Sequence, residues 1–247
     1  RSKYRRSFLG WAWSLLNPLS NMLIYTFVFG VVFGATAPIG KPSGLNVYAL
    51  YLLCGILPWG FFSQVTNLGM NALLSNASLV RKVAFARETL VISQVIFCFV
   101  QWSIEMTLLA VALIIAGSPI IPWLPVAVLL MVCLAVYAAG FALALSAAAV
   151  FFRDLRYLWS ILVQVMFFAT PIIYTPDRLE GKLPAAIDFI LTWNPMAVFI
   201  LTFRHMLYGG AAPNWGEMLY VVVVSILVFI AGWAIFSRLS RRVAEEL

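Results

Sequence analysis

Charge is what this sequence has least of. Only 10% of its 247 residues are Asp, Glu, Lys or Arg, against about 25% in an ordinary soluble domain, which excludes water as the main solvent. Histidine occurs once, as His205 beside Arg204. With no Cys or carboxylate at ligand spacing around it, a histidine metal centre is excluded. The three cysteines, Cys54, Cys98 and Cys133, are odd in number and widely spaced inside apolar runs. They read as small buried or lipid-facing residues rather than redox or metal ligands. Paired carboxylates, a Ser/His/Asp set, an HExxH helix and a Gly-rich phosphate loop are all missing. The chain therefore has no equipment for covalent catalysis or nucleotide hydrolysis of its own, and a metal site is not expected. It opens on Arg rather than Met, so part of the native N-terminus is expected to be missing. Residues 1–16 are too charged and interrupted for the apolar core of a signal peptide.

What is there is apolar. Hydrophobic residues make up 64% and the mean hydropathy is +0.99. Six runs, roughly 18–37, 47–67, 89–117, 123–152, 156–174 and 218–236, are long enough to cross about 30 Å of hydrocarbon. Nothing in the bilayer core can satisfy a bare backbone, and the runs do not alternate with period 2, so helices are required. The expected fold is an all-α membrane protein of six transmembrane helices, one domain over 18–247 with no soluble module.

The charges sort by side. Arg1, Lys3, Arg5, Arg6, Arg81, Lys82, Arg87, Arg153, Arg156, Arg238, Arg241 and Arg242 fall on one side of these spans, twelve of the 16 basic residues. Lys41, Arg178, Lys182 and Arg204 fall on the other. The positive-inside bias puts both termini in the cytoplasm. Tyr4, Phe8, Trp11 and Leu15 form one helical stripe behind the basic head, so residues 1–17 read as an amphipathic interface helix. A plain membrane anchor has the same pattern. Asn17-Pro18 then turns the chain into the first span.

Two connections look like working parts. Ser75, Asn76 and Ser78 offer N-caps for a short helix over 79–86, within a cytoplasmic segment 76–87. It carries Val80, Val83 and Phe85 with Arg81, Lys82 and Arg87, a docking knob for a soluble partner or an ordinary basic loop. The outer connection, about 175–217, holds LPAAIDFILT and PMAVFILTFRHML around Trp193-Asn194-Pro195. Both runs are too short to span and fit re-entrant or cap helices over about 183–207, a lid or a purely structural cap. Glu105 is the one carboxylate deep in a span; hydrogen bonding to Gln101, pore lining and proton coupling are all open to it.

Aromatics reach 15% and many lie within spans. Tyr25, Phe29 and Phe33 share one helical face, and the fifth span and its approaches carry Trp159, Phe167 and Tyr174. Rings of this kind hold the C–H faces of a sliding sugar, or simply pack.

YRRSFLGWAWSLLNPL, YLLCGILPWGFFS, VFFRDLRYLW, FFATPIIYT and WNPM, in this order over residues 4 to the C-terminus, resemble the permease subunits of polysaccharide-exporting ABC transporters. These move lipid-linked O-antigen, teichoic acid or galactan across the bacterial inner membrane. The resemblance implies a homodimer with two separate ATP-binding cassette subunits, ATP and Mg residing in those partners. It implies a gate helix at Tyr4, Arg5, Arg6, Phe8 and Trp11, and a coupling helix at Val80, Arg81, Lys82, Phe85 and Arg87. It implies a channel lined by Tyr25, Phe29, Phe33, Trp159, Phe167 and Tyr174. Arg5, Arg6, Arg153 and Arg156 are then candidates for the diphosphate of a polyprenyl-linked substrate. A drug or lipid exporter of the same superfamily, an ion-coupled carrier and a membrane glycosyltransferase are the competing functions.

Overall fold

A computed structural model describes residues 20, 23–24, 27–28, 34, 37–82, 85–174 and 193–246. Among them regular structure is helical throughout. Helix α1 runs Tyr48–Ser75, α2 Ala77–Lys82 and α3 Glu88–Ile115. A 3-10 turn, Ile121–Trp123, leads into α4, Leu124–Phe151. Helix α5 is Leu155–Ala169; α6, Pro195–Phe203, continues into a π-turn, Arg204–Tyr208; α7 is Trp215–Glu246.

Four of these are long and apolar enough to cross a membrane: Tyr48–Ser75, Glu88–Ile115, Ile121–Phe151 and Trp215–Ser240. They coincide with the expected second, third, fourth and sixth spans. The expected fifth span is a 15-residue helix, about 22 Å at 1.5 Å per residue. It stops because Thr170, at φ −104° and ψ 135°, precedes Pro171 and is pushed out of the helical region. Most of the expected first span, 18–37, lies outside the described residues.

Helix α4 is the centre of the bundle. Helices α1 and α7 lie along it, and α3 and α5 touch it. From Cys133 onward its buried residues run all round, including Leu134, Ala138, Ala139, Ala142 and Leu143, as a helix enclosed by others requires, whereas its first turns leave Val128, Leu129 and Val132 open. By contrast α3 buries a single stripe, Val91, Val95, Cys98, Trp102, Met106, Leu109 and Leu113, and leaves Ile96, Val100, Val111 and Ile115 open. Helices α4 and α7 meet at glycine: a Cβ on Gly140 would sit 2.5 Å from the Val228 carbonyl oxygen, and one on Gly232 would strike the Gly140 backbone. Lipid tails are as apolar as leucine, so close backbone contact of this kind replaces the hydrophobic effect as the packing force.

The two ends of the bundle differ. At one, the Tyr48 hydroxyl donates to the Ile173 carbonyl at 2.9 Å, Ser118 Oγ to Leu207 O at 2.8 Å, and Trp123 Nε1 to Gly210 O at 3.1 Å. At the other, Arg87 Nη1 donates to the Ser240 carbonyl of α7. Exposed Lys82, Arg153, Arg156 and Arg238 belong to this Arg87 end.

Candidate functional site

Helix α5 carries a broad uncovered face next to the bundle's aromatic centre. Trp159 and Val163 are its buried residues; Tyr157, Leu158, Ile161, Leu162, Val165 and Phe168 stand open, Tyr157 at 72% and Phe168 at 64% exposure. Ser160 and Gln164 share the open side. The Ser160 hydroxyl turns back to the Tyr157 carbonyl at 2.8 Å, but the Gln164 amide has no hydrogen-bond partner among the described residues. Hydrocarbon would leave that amide unsatisfied at a cost of several kcal/mol, so this face fits water or another polypeptide better than lipid.

The expected lining residues divide. Tyr25, Phe29 and Phe33 lie outside the described residues. Phe167 is half-buried, edge-on to Trp59 with ring centroids 5.8 Å apart. Tyr174 is half-buried and donates from its hydroxyl to Phe168 O at 3.1 Å. Trp159 is only 6% exposed and packs against Phe141 at 5.7 Å and Phe62 at 6.5 Å. Its ring turns into its own subunit, and its indole N–H is buried with no acceptor among the described residues. An unpaired buried donor is a net cost, so Trp159→Phe should leave the thermal midpoint unchanged or raise it. Trp159→Ala should cost about 3–5 kcal/mol through the cavity it leaves. Thermal unfolding of the purified subunit, followed by size-exclusion fluorescence, checks both; equal losses would mean that the N–H has a partner.

At the turn between α4 and α5, Phe151, Phe152, Arg153, Asp154, Leu155 and Leu158 help line an open cavity of about 590 Å³. Arg153 and Arg156 are both exposed there. Arg153 lines the cavity and Arg156 stands beside it, so one cation at least is free to meet an anion. Arg5 and Arg6, with Tyr4, Phe8 and Trp11 of the expected interface helix, lie outside the described residues.

The segment 76–87 forms a shorter helix than expected, started by the Asn76 carbonyl, which accepts from Leu79 N at 2.9 Å and Val80 N at 3.0 Å. Val80 is buried, Phe85 and Arg87 half-buried, and Lys82 exposed. Leu79, 43% exposed, is an apolar side chain of this helix that the motif reading passed over. Val83 and the Arg81 side chain are not among what the structure describes.

The Tyr48 end holds the feature least visible from the sequence. Arg204 is 5% exposed. Its Nε donates to Tyr51 O at 3.2 Å, its Nη1 to Pro171 O and its Nη2 to Ile172 O. The guanidinium lies 3.8 Å from the centroid of the Tyr51 ring. Burial draws its pKa below the ordinary arginine value, yet a guanidinium donating to three carbonyls stays protonated. Two motifs far apart in the chain thus meet. FFATPIIYT supplies two of the three carbonyls, and WNPM adds Asn194, which donates from Nδ2 to Thr170 Oγ1 at 3.0 Å. Asn194 Oδ1 meanwhile accepts from Met196 N at 3.0 Å and caps α6. The Tyr208 hydroxyl, 2.9 Å from Leu45 O, accepts from Val47 N at 3.2 Å. Burial pushes that phenol above its ordinary value, so it remains a donor at neutral pH. The C-terminal end of α5 is therefore held by α1, α6 and the π-turn together.

Glu105 is half-buried on α3, with Gln101 Nε2 donating to its Oε1 at 3.4 Å. His205 is exposed, and the three cysteines are buried free thiols. Among the described residues no three His, Cys, Asp or Glu side chains gather to hold a metal.

Residues 1–208 match the family model described as ABC-2 type transporter. Over 246 residues the chain is 28% identical to an O-antigen export system permease protein RfbA of Klebsiella pneumoniae, covering 99% of this chain and 90% of that one. A protein of the same description from Myxococcus xanthus is 28% identical over 251 residues, 100% of this chain and 91% of its own. The polysialic acid transport protein KpsM of Escherichia coli is 21% identical over 239 residues, 96% and 88% of the two chains.

Proposed function

This chain belongs to the ABC-2 type transporter family, and on that premise we propose how it works: it is the transmembrane, channel-forming subunit of an ATP-driven exporter of lipid-linked polysaccharide. Relatives described as O-antigen export permeases and as a polysialic acid transport protein align over nearly its whole length, which supports this substrate class. ATP hydrolysis belongs to a separate cassette subunit. Two copies of the chain, each with six spans and each seated on its own ATPase, make the transporter. The chain lies in the bacterial inner membrane with its termini in the cytoplasm. The placement of Lys82, Arg87, Arg153, Arg156 and Arg238 at one end of the bundle supports that orientation.

The observation that carries the reading is the open face of α5, apolar and aromatic but interrupted by the Gln164 amide, which has no partner among the described residues. Such a surface suits a path along which sugars pass ring by ring, with Tyr25, Phe29, Phe33, Phe167 and Tyr174 along it. It does not hold one compact ligand as a drug cavity does. The diphosphate end of the substrate meets Arg5, Arg6, Arg153 and Arg156 at the cytoplasmic mouth. Residues 1–17 form the gate helix, 76–87 the coupling segment, and 183–207 the outer cap, of which 183–192 lie outside the described residues. ATP binding in the partner moves the coupling segment and shifts the dimer between closed and open states.

The experiment is reconstitution of the chain with its cassette subunit. A polyprenyl-diphosphate-linked polysaccharide is expected to stimulate ATP hydrolysis, whereas a lipophilic cation is not. Export is expected to survive collapse of the proton gradient. Because the energy comes from ATP, Glu105→Gln should leave the rate within about twofold, unlike an intramembrane carboxylate in a proton relay. Stimulation by the cation alone would favour a drug or lipid exporter. Loss of transport with Glu105→Gln or with the gradient would favour an ion-coupled carrier.

A further inference from the structure

At the Tyr48 end, α6 and the start of α7 line an open cavity of about 330 Å³ that belongs neither to the α5 face nor to the Arg204 cluster. Its apolar walls are Val198, Leu201, Trp193 and Tyr220. Trp193 is 55% exposed and meets Tyr220 edge-on, ring centroids 5.7 Å apart; the Tyr220 hydroxyl donates to the Trp193 carbonyl at 2.7 Å and fixes the pair. The polar lining is Asn214 and Glu217. Glu217 is oriented from two sides. Its Oε1 accepts from Asn214 Nδ2 at 3.1 Å, and its Oε2 lies 3.2 Å from the fully buried Thr202 hydroxyl, whose one proton is shared with the Val198 carbonyl at 2.7 Å.

Part of this arrangement is a helix cap: Asn214 Oδ1 accepts from Gly216 N at 3.0 Å, and an acid three residues on is the usual companion. Capping does not call for the bond from Thr202, which comes from a different helix, nor for an aromatic wall opposite the carboxylate. Two contacts also leave the site unsaturated. A carboxylate offers about four acceptor positions and an amide nitrogen two protons, so acceptors on Glu217 and one proton on Asn214 remain free. A pyranose presents an apolar C–H face on one side and hydroxyl groups round its rim. An aromatic wall facing a pre-oriented carboxylate and amide is complementary to both. The cavity is at the small end of ligand sites, which suits one or two sugar rings rather than a lipid chain.

We propose that this cavity is a saccharide-binding subsite that holds a neutral sugar ring of the emerging polymer on the outer face of the subunit. The proposal rests on the polysaccharide-export reading. It adds a fixed contact beyond the channel, where a ring bound between ATP cycles resists backward slippage. Trp193 is the platform; Glu217, held by Thr202 and Asn214, accepts from the ring hydroxyls.

The test uses the reconstituted complex in nanodiscs and the methyl glycosides of glucose, galactose and mannose as probes, read by saturation-transfer NMR. At least one glycoside should be saturated at its ring C–H protons. Trp193→Ala should weaken that contact about tenfold, the scale of one aromatic contact. Glu217→Gln, which keeps the helix cap because Gln serves at that position, should weaken it by a similar factor through loss of the anionic acceptor. Signals unchanged in both variants, no glycoside saturated at all, or saturation of detergent or lipid chains only at Trp193 would overturn the site. ATP-dependent glycan export by the wild-type complex is measured alongside. Export without sugar contact at Trp193 sinks the subsite and leaves the export reading standing, whereas absence of glycan export removes both.

Discussion

Arg204→Met should leave an inserted subunit that no longer exports. The methionine keeps most of the apolar stem but orphans the carbonyls of Pro171 and Ile172, which now receive the guanidinium. Each buried acceptor left without a donor costs about 1–3 kcal/mol. Relief from burying a cation offsets part of that, so a net loss of roughly 3 kcal/mol follows. The loss is local. What comes free is the C-terminal end of α5, the helix whose open face is read as the path, so export should fall at least tenfold while assembly with the cassette subunit persists. Arg204→Lys should recover only part, since an ammonium lacks the planar fork and the stacking on Tyr51. Gly55 supplies the control. A Cβ there would lie 2.7 Å from Arg204 Nη2, so Gly55→Ala displaces the same group. Residues that act as a unit are not additive: with Arg204→Met already present, Gly55→Ala should cost little more. Fully additive losses in export and in thermal midpoint would show that Arg204 is not what holds α5.

This residue also marks where the sequence stops being informative. The four long helices were legible because a membrane leaves the backbone one solution, and their apolar runs announce themselves. Their ends were less so: the expected second span closes at 67, yet α1 continues to Ser75. There Asn67 and Asn71 return their amide protons to carbonyls one turn back, at 2.7 and 2.8 Å, so polar residues extend the helix instead of ending it. In α5 the reverse happened: Thr170-Pro171 broke a run that looked continuous to 174. Arg204 read as one of four outer charges, because nothing local distinguishes an exposed loop cation from a buried one; its carbonyl acceptors lie 32, 33 and 153 residues away. Trp159 illustrates the same limit. Its motif marks it as an aromatic of the fifth span, but which side of a 15-residue helix faces the core is set by Phe62 and Phe141 on two other helices. Asn194 and Thr170 belong to motifs that read as separate, and only the fold shows that they are bonded.

The largest effect expected on the protein itself comes from glycine. Gly140→Leu or Gly232→Leu should abolish the folded subunit, and alanine at either position should already cost about 1–3 kcal/mol or more, the range for overpacking. The reason is what the new atom meets. At Gly140 a Cβ faces the carbonyl oxygen and carbon of Val228 and the amide nitrogen of Phe229; at Gly232 it faces the backbone of Gly140. No flexible side chain is there to move aside, so α4 and α7 must part. Parting opens the pairing on which α7 depends, because much of its remaining surface, including Leu219, Val223, Leu227 and Ile230, is uncovered. In lipid that pairing has no hydrophobic driving force to restore it once the close contact is lost. Gly60 on α1 is the matched control: a Cβ there meets nothing within 4 Å, so Gly60→Ala should be neutral or slightly stabilising by removing backbone freedom. Limited trypsin digestion and size-exclusion profiles of membrane extracts separate these outcomes. Intact, monodisperse Gly232→Leu protein would mean that α4 and α7 are not held by backbone contact at this crossing.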